Sequence, residues 1–456
     1  MIHKFKFDEN AYVLDVNSGA IHVVDDIFYD ILDYLDGNFF DYTKDYVVSR
    51  LKDKYSPEDI KEAYDELFEL YQAGKLFSKD CYEHLATEEK LNSPIKSVCL
   101  NVAHDCNLCC FYCFASSGDF GCGRELMSLP TAKKAVDFLI EKSGTIKNLE
   151  MDFFGGEPLM NFDVVKETVK YARSLEKIHN KNFRFTLTTN GLLLNDEIID
   201  FINEEIYDVV LSLDGRKQIN DKFRVTKSGF GSYDAVVPKF QKLISQRGNK
   251  SYYVRGTYTK ENLNFTDDVM HLYSLGFKSI SMEPVLCDDK FSYSVDESCL
   301  ETVLEEHDKL CKKLIEMKKQ GHDINFFNFN IDVDKGPCVI KRLKGCGCGN
   351  DYVAIVPNGD IFACHQMVGE NKFRMGNINE ETFDEKSKKP FLNMSVYHKE
   401  KCKNCWAKFY CSGGCAAKNH SHCGDIMKPF DVACRMQKKK IECAVALQIA
   451  EKMMNK

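Results

Sequence analysis

Hydrophobic residues recur at two different periods along this chain, and the changes of period predict its strands and helices. Near the start, short apolar runs predict strands over residues 3–7, 12–16 and 20–24, and the turn Asn17-Ser18-Gly19 separates the second from the third. Helical spacing follows. Ser56 is the predicted N-cap of a helix that starts at Pro57 and closes at Gly74.

The middle of the chain, residues 95–300, alternates predicted strands with amphipathic helical stretches such as 131–142 and 164–175. Repeated strand–helix units predict a parallel sheet, open or closed into a barrel, with its chemistry at the carboxyl ends of the strands. The predicted strands are residues 97–102, 149–154, 183–189, 208–213, 252–259 and 279–285.

The last third has few long apolar runs. Residues 298–320 predict a linking helix, and residues 352–356 and 360–365 predict a hairpin around Asn358-Gly359. From residue 338 onward the chain holds eleven cysteines, so we expect metal clusters to stabilise a thin core there.

Composition supports this interpretation. The 456 residues, 44% of them hydrophobic, provide a large core, and the longest apolar runs have only the length of strands, so no membrane span is expected. No apolar signal segment opens the chain, which indicates a cytoplasmic location. The 21 cysteines would stay reduced there, and so many reduced cysteines usually bind metal.

Charge is concentrated at one end. Residues 1–80 hold 18 acidic against 9 basic residues, while the whole chain carries −8. Strands followed by helices over this length resemble a winged-helix module, but such an excess of acid argues against DNA binding, and no nucleic-acid partner is expected. We expect instead that an exposed strand edge accepts an extended peptide.

The first cysteine motif directly follows the first strand of the middle region. Cys106, Cys110 and Cys113 form a Cys-x3-Cys-x2-Cys loop. Three thiolates can hold three irons of a 4Fe-4S cluster and leave the fourth iron open for a small molecule. The alternative is a zinc site completed by Cys109.

This loop resembles the signature of the radical SAM superfamily, and further motifs of that family follow at successive strand ends. The resemblance implies that Tyr112 packs beside the cluster or the adenine, that the Gly155-Gly156-Glu157-Pro158 segment holds the amino group of S-adenosylmethionine (SAM), and that Arg224 pairs with its carboxylate. The cofactor-binding residues that it implies are Tyr112, Gly155, Gly156, Glu157, Asn190, Ser212 and Arg224.

The C-terminal cysteines resemble those of the SPASM domain, which carries two auxiliary 4Fe-4S clusters. The resemblance places Cys402, Cys405, Cys411 and Cys434 on the outer cluster. It places Cys364 and Cys415 on the inner cluster, together with Cys346 or Cys348, and Cys338 is a possible fourth ligand. Zinc ribbons are the alternative.

Together these parts resemble maturases of ribosomally made peptides, most closely the thioether-forming maturases of the six-cysteine clostridial peptide (SCIFF). The implied fold is α/β: a winged-helix-like recognition domain over residues 1–85, a partial (β/α)6 barrel over 95–300, and a linking helix with the SPASM domain over 301–456. The implied cofactors are SAM and three 4Fe-4S clusters. The implied partners are a cysteine-rich precursor peptide with a leader and a one-electron donor of the flavodoxin or ferredoxin type.

The implied reaction is reductive cleavage of SAM, hydrogen abstraction from an acceptor residue, expected to be Thr, and bonding of a cysteine sulfur to the resulting carbon radical, with the surplus electron returned through the clusters. Other functions stay open. An anaerobic sulfatase maturase or another SPASM chemistry shares the motifs, and outside enzymes an iron–sulfur electron carrier or a zinc-binding protein shares the cysteines. The SAM-binding segments favour an enzyme.

Overall fold

The structure is a computed structural model that describes residues 1–39, 41–287 and 291–454. At its N-terminus, three antiparallel strands in the order β1-β2-β3 pack on three helices around Val13, Ile31 and Leu67. The elements are β1 (Ile2–Phe7), β2 (Asn10–Asp15), β3 (Ile21–Val24), α1 (Asp26–Ile31), α2 (Lys44–Leu51) and α3 (Pro57–Gln72).

The predicted start of α3 is confirmed. The Ser56 side chain accepts a hydrogen bond from the backbone N–H of Asp59 at 3.1 Å, and Pro57 occupies the first turn, where a missing N–H costs nothing. A short helix, α4 (Glu88–Leu91), then leads into the central sheet.

Six parallel strands form the centre of the molecule, in the spatial order β10-β9-β8-β7-β6-β4. All six predicted strands are present, each within one or two residues of its expected bounds. The first strand, in which all eight residues are buried, runs on to His104. The strands of this region are β4 (Ser97–His104), β5 (Glu125–Leu126), β6 (Asn148–Gly155), β7 (Asn182–Thr189), β8 (Asp208–Ser212), β9 (Ser251–Tyr258), β10 (Ser279–Pro284) and β11 (Asn325–Phe326).

Helices follow the strands and cover one face of the sheet with amphipathic surfaces, as the sequence pattern predicts. They are α5 (Leu129–Lys142), α6 (Phe162–His179), α7 (Asp196–Glu205), α8 (Lys217–Phe223), α9 (Tyr233–Arg247), α10 (Phe265–Ser274) and the linking helix α11 (Leu300–Lys319).

The C-terminal region adds its strands to the same sheet. β12 pairs with β4 in parallel, β13 returns antiparallel as the predicted hairpin, and β14 and β15 complete the far edge. The elements are α12 (Val339–Lys344), β12 (Tyr352–Ile355), β13 (Asp360–Phe362), β14 (Arg374–Asn377), β15 (Thr382–Phe383), α13 (Lys389–Leu392), α14 (Glu400–Lys403), α15 (Lys408–Cys411), α16 (Ala416–Cys423) and α17 (Asp431–Met454).

The sheet thus runs from β11 to β15 without closing on itself. The expected α/β class with a partial, open barrel is confirmed. In the described ranges, no helix has an apolar stretch long enough to cross a membrane.

Candidate functional site

The loop that holds Cys106 is pressed against the end of β6 by backbone contacts. The N–H groups of Gly156 and Glu157 donate to the carbonyls of Ala103 and Asp105 at 2.8 and 2.9 Å. A Cβ on Gly156 would lie 2.2 Å from the Asp105 oxygen, and one on Gly155 would lie 2.3 Å from the Ala103 oxygen. The glycine pair is therefore required by close approach of two backbones.

The same loop is held on its other side by the segment after α8. The N–H of Cys109 donates to the carbonyl of Val225 at 2.7 Å, and that of Phe111 donates to the carbonyl of Phe223 at 3.2 Å. Arg224 lies in that segment. The loop is thus fixed between two predicted SAM-binding segments.

Asn190, at the end of β7, reaches the first cysteine. Its side-chain amide donates to Asn107 Oδ1 at 2.7 Å and to Cys106 Sγ at 3.6 Å, and the backbone N–H of Leu108 donates to the same sulfur at 3.4 Å. A sulfur that accepts two N–H groups is well suited to carry the negative charge of a cluster ligand.

Glu157 joins the ends of β6 and β7. Its buried carboxylate accepts hydrogen bonds from Thr189 Oγ1 at 2.7 Å, from the Asn190 N–H at 2.8 Å and from the Leu159 N–H at 3.1 Å. Burial raises the pKa of Glu157 to about 7, although these three hydrogen bonds oppose the change. The observed contacts of this carboxylate join the ends of β6 and β7, and its contact with SAM stays a prediction.

Asp214 organises the end of β8, and the sequence interpretation did not select it. It is fully buried, accepts a hydrogen bond from the Tyr112 hydroxyl and one from the Thr257 N–H at 3.0 Å, and lies 3.0 Å from Nε of Arg224. Burial disfavours the guanidinium charge, yet Asp214, together with Tyr112 and Cys110, outweighs burial and raises the pKa of Arg224. Asp214 follows Ser212, a predicted SAM contact, by two residues, and this position was the available signal.

Arg224 thus already forms an ion pair with Asp214, which approaches its Nε. Its guanidinium carbon lies 5.6 Å from the centre of the Tyr112 ring, so two of the implied SAM contacts are neighbours. Ser212 lies one strand away from Arg255 at the same level of the sheet. These positions fit a nucleotide at the carboxyl end of β8, and the individual contacts stay predictions.

The four cysteines assigned to the outer cluster surround one cavity of about 250 Å³. Cys402 comes from α14, Cys405 from the following turn, Cys411 from the end of α15 and Cys434 from the first turns of α17. Four sulfurs from separate elements around one space fit the donor set of an iron–sulfur cubane.

The cysteines assigned to the inner cluster also lie close together. The Gly349 N–H donates to the Ala363 carbonyl at 2.9 Å, which sets Cys348 beside Cys364. The hydrogen bond between these two thiols lowers the pKa of Cys364 well below its ordinary value and raises that of Cys348. Cys346 is near enough to interact electrostatically with both, and Cys415 with Cys346 and Cys348, whereas Cys338 is exposed at the start of α12.

A buried lysine lies near cysteines of both C-terminal sets, and no sequence pattern marked it. Lys399 is 2% exposed, and its ammonium group donates to the Gly413 carbonyl at 2.8 Å. Burial lowers its pKa, while Cys402, Cys411 and Cys415 act against that change. Throughout the described chain, no three His, Cys, Asp or Glu side chains converge as ligands of a single metal ion.

Two family profiles match this chain. The Radical SAM superfamily matches residues 100–245, and SPASM, an iron–sulfur cluster-binding domain, matches residues 346–406. The first covers the Cys106 loop and every predicted SAM contact, and the second covers part of the C-terminal cysteines.

Similar proteins include an uncharacterised protein of Methanocaldococcus jannaschii, 30% identical over 69% of this chain and 96% of its own length. The radical SAM cyclopropyl synthase TigE of Paramaledivibacter caminithermalis is 22% identical over 96% of this chain and 93% of its own. The cysteine-type anaerobic sulfatase-maturating enzyme of Clostridium novyi is 26% identical over 68% and 85%.

Among solved structures, anSMEcpe with bound AdoMet and the Cp18Cys peptide has a TM-score of 0.62 and 20% identity, and the match covers 79% of this chain and 99% of that one. At this identity the match establishes the fold.

Proposed function

Because this chain belongs to the radical SAM superfamily and carries a C-terminal SPASM domain, we propose that it is a thioether-forming peptide maturase. In this proposal the protein cleaves SAM reductively and joins cysteine sulfurs to threonine carbons of a ribosomally made, cysteine-rich precursor peptide. A flavodoxin or ferredoxin would supply the electron.

One observation carries the proposal most directly: the segments expected to bind SAM converge on the Cys106 loop, and two further cysteine sets lie in the domain beside them. Gly156 fixes the loop from β6, Asn190 reaches Cys106 Sγ from β7, and Arg224 lies beside the loop after β8. A simple electron carrier has no need for these three contacts.

When bound, SAM and the three 4Fe-4S clusters supply the electron transfer and the hydrogen abstraction. The protein contributes ligands and position. Cys106, Cys110 and Cys113 would hold the first cluster, and Arg224, oriented by Asp214, would present its remaining N–H groups to the SAM carboxylate.

The N-terminal module supports a peptide substrate. β3 forms one edge of its three-stranded sheet, with Val23 40% exposed, so an extended leader can add there as a further strand. Given the 18 acidic residues of this module, we expect a lysine-rich leader. Calorimetry should show that the full precursor binds more tightly than the leaderless peptide, and equal affinities would contradict this docking.

The test of the reaction uses anaerobically reconstituted protein, SAM, a chemical reductant and a synthetic six-cysteine precursor peptide with its leader. We expect about twelve irons per chain, as three cubanes require. Mass spectrometry should find a loss of two hydrogen atoms for each ring, with fragmentation joining a cysteine to a threonine. A linear, unmodified peptide in the presence of active SAM cleavage would contradict the proposed reaction.

A sulfatase maturase is the second candidate, because relatives of that name match two thirds of this chain. TigE, by contrast, matches 96% of it, so the architecture of the whole chain recurs outside the sulfatase maturases. Formylglycine formed from a sulfatase peptide, with no change in the six-cysteine peptide, would favour this second function.

A further inference from the structure

A cluster of charged residues lies on the sheet face opposite the helices, at the carboxyl ends of β9 and β10. In β9 the fully buried Tyr258 stacks on Phe265 of α10, which shows which face the helices cover. Arg255 and Glu283 alternate with the residues on that side and so project to the other face.

Glu283 is held in place by two partners. The side-chain amide of Asn328 donates to its Oε1 at 2.7 Å, and Nζ of Lys440, from α17, lies 3.4 Å from its Oε2. Burial alone would raise the pKa of Glu283, but Lys440, Arg255 and Lys418 outweigh it and lower the pKa to about 2. This carboxylate is therefore ionised and already neutralises one cation.

Two cations remain beside it. Arg255 is exposed on the open face of the sheet, and Lys418, from α16, lies close enough to Glu283 to help lower the pKa of that carboxylate. Burial lowers the pKa of Lys418 itself, and Glu283 opposes that change. Neither side chain makes a hydrogen bond or ion pair with any other residue that the structure describes. Three cations, Lys440, Arg255 and Lys418, thus share the single carboxylate of Glu283, and the excess of positive charge on this partly enclosed face forms a site for an anion.

The position of this cluster relates it to the substrate. Arg255 pairs in register with Ser212, a predicted SAM contact, and Lys418 follows Cys415, a predicted inner-cluster ligand, by one helical turn. A group bound between Arg255 and Lys418 therefore lies between the SAM site and the auxiliary cysteines, where a modified residue has to sit.

We propose that Arg255 and Lys418 bind a carboxylate of the peptide substrate and so set which residue faces the SAM site. The carboxylate belongs to an Asp or Glu side chain near the crosslinked residues or to the peptide C-terminus. This inference rests on the proposed function, since it takes a peptide as the substrate.

The test combines protein variants with peptide variants. Arg255→Gln and Lys418→Gln remove the charges but keep polar side chains, and Arg184→Gln is the matched control, because Arg184 lies near the amino end of β7 and stacks on Tyr207. The probe is the six-cysteine precursor, with each Asp and Glu changed to its amide in turn, and with an amidated C-terminus. Calorimetry gives the Kd, and 5′-deoxyadenosine formed without peptide reports SAM use.

We expect each site variant to weaken peptide binding by about tenfold to a hundredfold, the value of a charged hydrogen bond, and to leave peptide-free SAM cleavage and the control unchanged. One of the peptide variants should bind the wild-type protein with the same loss of affinity. That variant should bind Arg255→Gln no more weakly than the unmodified peptide does, because the contact is already absent. The position of that change distinguishes a side-chain carboxylate from the C-terminus.

The carboxylate site would be overturned if the protein change and the peptide change weakened binding independently, so that their effects multiplied. Unchanged peptide affinity in both site variants would also overturn it. Loss of SAM cleavage in Arg255→Gln would assign this arginine to the cofactor instead and would also overturn it. Failure of the proposed function looks different, because the wild-type protein would then bind the peptide without forming a thioether.

Discussion

The Asp214–Arg224 pair gives the most informative single perturbation. Asp214→Asn keeps the size of the side chain and an oxygen that can accept from Thr257, but it removes the charge opposite Arg224. The two side chains are 0% and 11% exposed, so the guanidinium would stay buried without its counter-ion. Breaking such a pair costs about 3–5 kcal/mol.

Hydrogen exchange measures this cost locally, which suits a protein of several domains whose unfolding is not two-state. The Thr257 amide donates to Asp214, so its exchange reports the opening of this site. At 1.4 kcal/mol per factor of ten, we expect exchange of that amide to accelerate by roughly a hundredfold or more in Asp214→Asn. Affinity for SAM should fall with it.

Two further variants separate charge from structure. Asp214→Asn combined with Arg224→Gln removes both charges and should recover most of the protection, but not the SAM affinity. Asp268→Asn breaks a comparable pair, in which Arg216 Nε lies 2.8 Å from the buried Asp268, and it should leave SAM binding intact. Unchanged exchange in Asp214→Asn, or a double variant as labile as the single one, would refute this reasoning.

Three other outcomes follow from the structure. Burial lowers the pKa of His307 to about 3, so stability that is fully present above pH about 6.5 should be lost as the pH falls toward 3. Hydrogen exchange in α11 should show this loss in the wild-type protein but not in His307→Leu. Gly156→Ala would bring a Cβ within 2.2 Å of a loop oxygen, so about four irons and SAM cleavage should be lost. Gly74→Ala, which follows α3 and has no atom within 4 Å of the added Cβ, should keep both. Lys399→Met removes a buried cation near the cysteine sets, and an auxiliary reduction potential should become more negative in an EPR-monitored titration.

Each of these expectations has a contradicting result. An acid loss of equal size in His307→Leu would assign it to other groups. Full iron content in Gly156→Ala would show that the loop tolerates displacement from β6. Unchanged auxiliary potentials in Lys399→Met would show that this charge acts on the fold alone.

The sequence was sufficient for the strands because each is a run of apolar residues bounded by polar turns, and the predicted strand at residues 208–213, for example, is observed as Asp208–Ser212. The sequence was also sufficient to predict the order in which the SAM-binding segments follow successive strands. It gave no signal that β12 pairs with β4, since that contact joins residues more than 250 positions apart.

The residues missed at the site share one property: their roles depend on partners from distant elements. Asp214 matters because Tyr112 and Arg224 meet there, and Lys399 matters because cysteines of both C-terminal sets act on its charge. No local pattern marks such residues. A role can be assigned to a buried charged residue only when the packing that surrounds it is known.

The central claim is that the Cys106 loop leaves one iron open for SAM. Electron–nuclear double resonance on the reduced, reconstituted protein tests it directly, with SAM labelled with 15N at its amino group. We expect a hyperfine coupling from that nitrogen to a 4Fe-4S cluster, lost when Cys106, Cys110 and Cys113 are changed to Ala. A spectrum that is the same with labelled and unlabelled SAM would show that the cofactor does not bind the iron and would contradict the account.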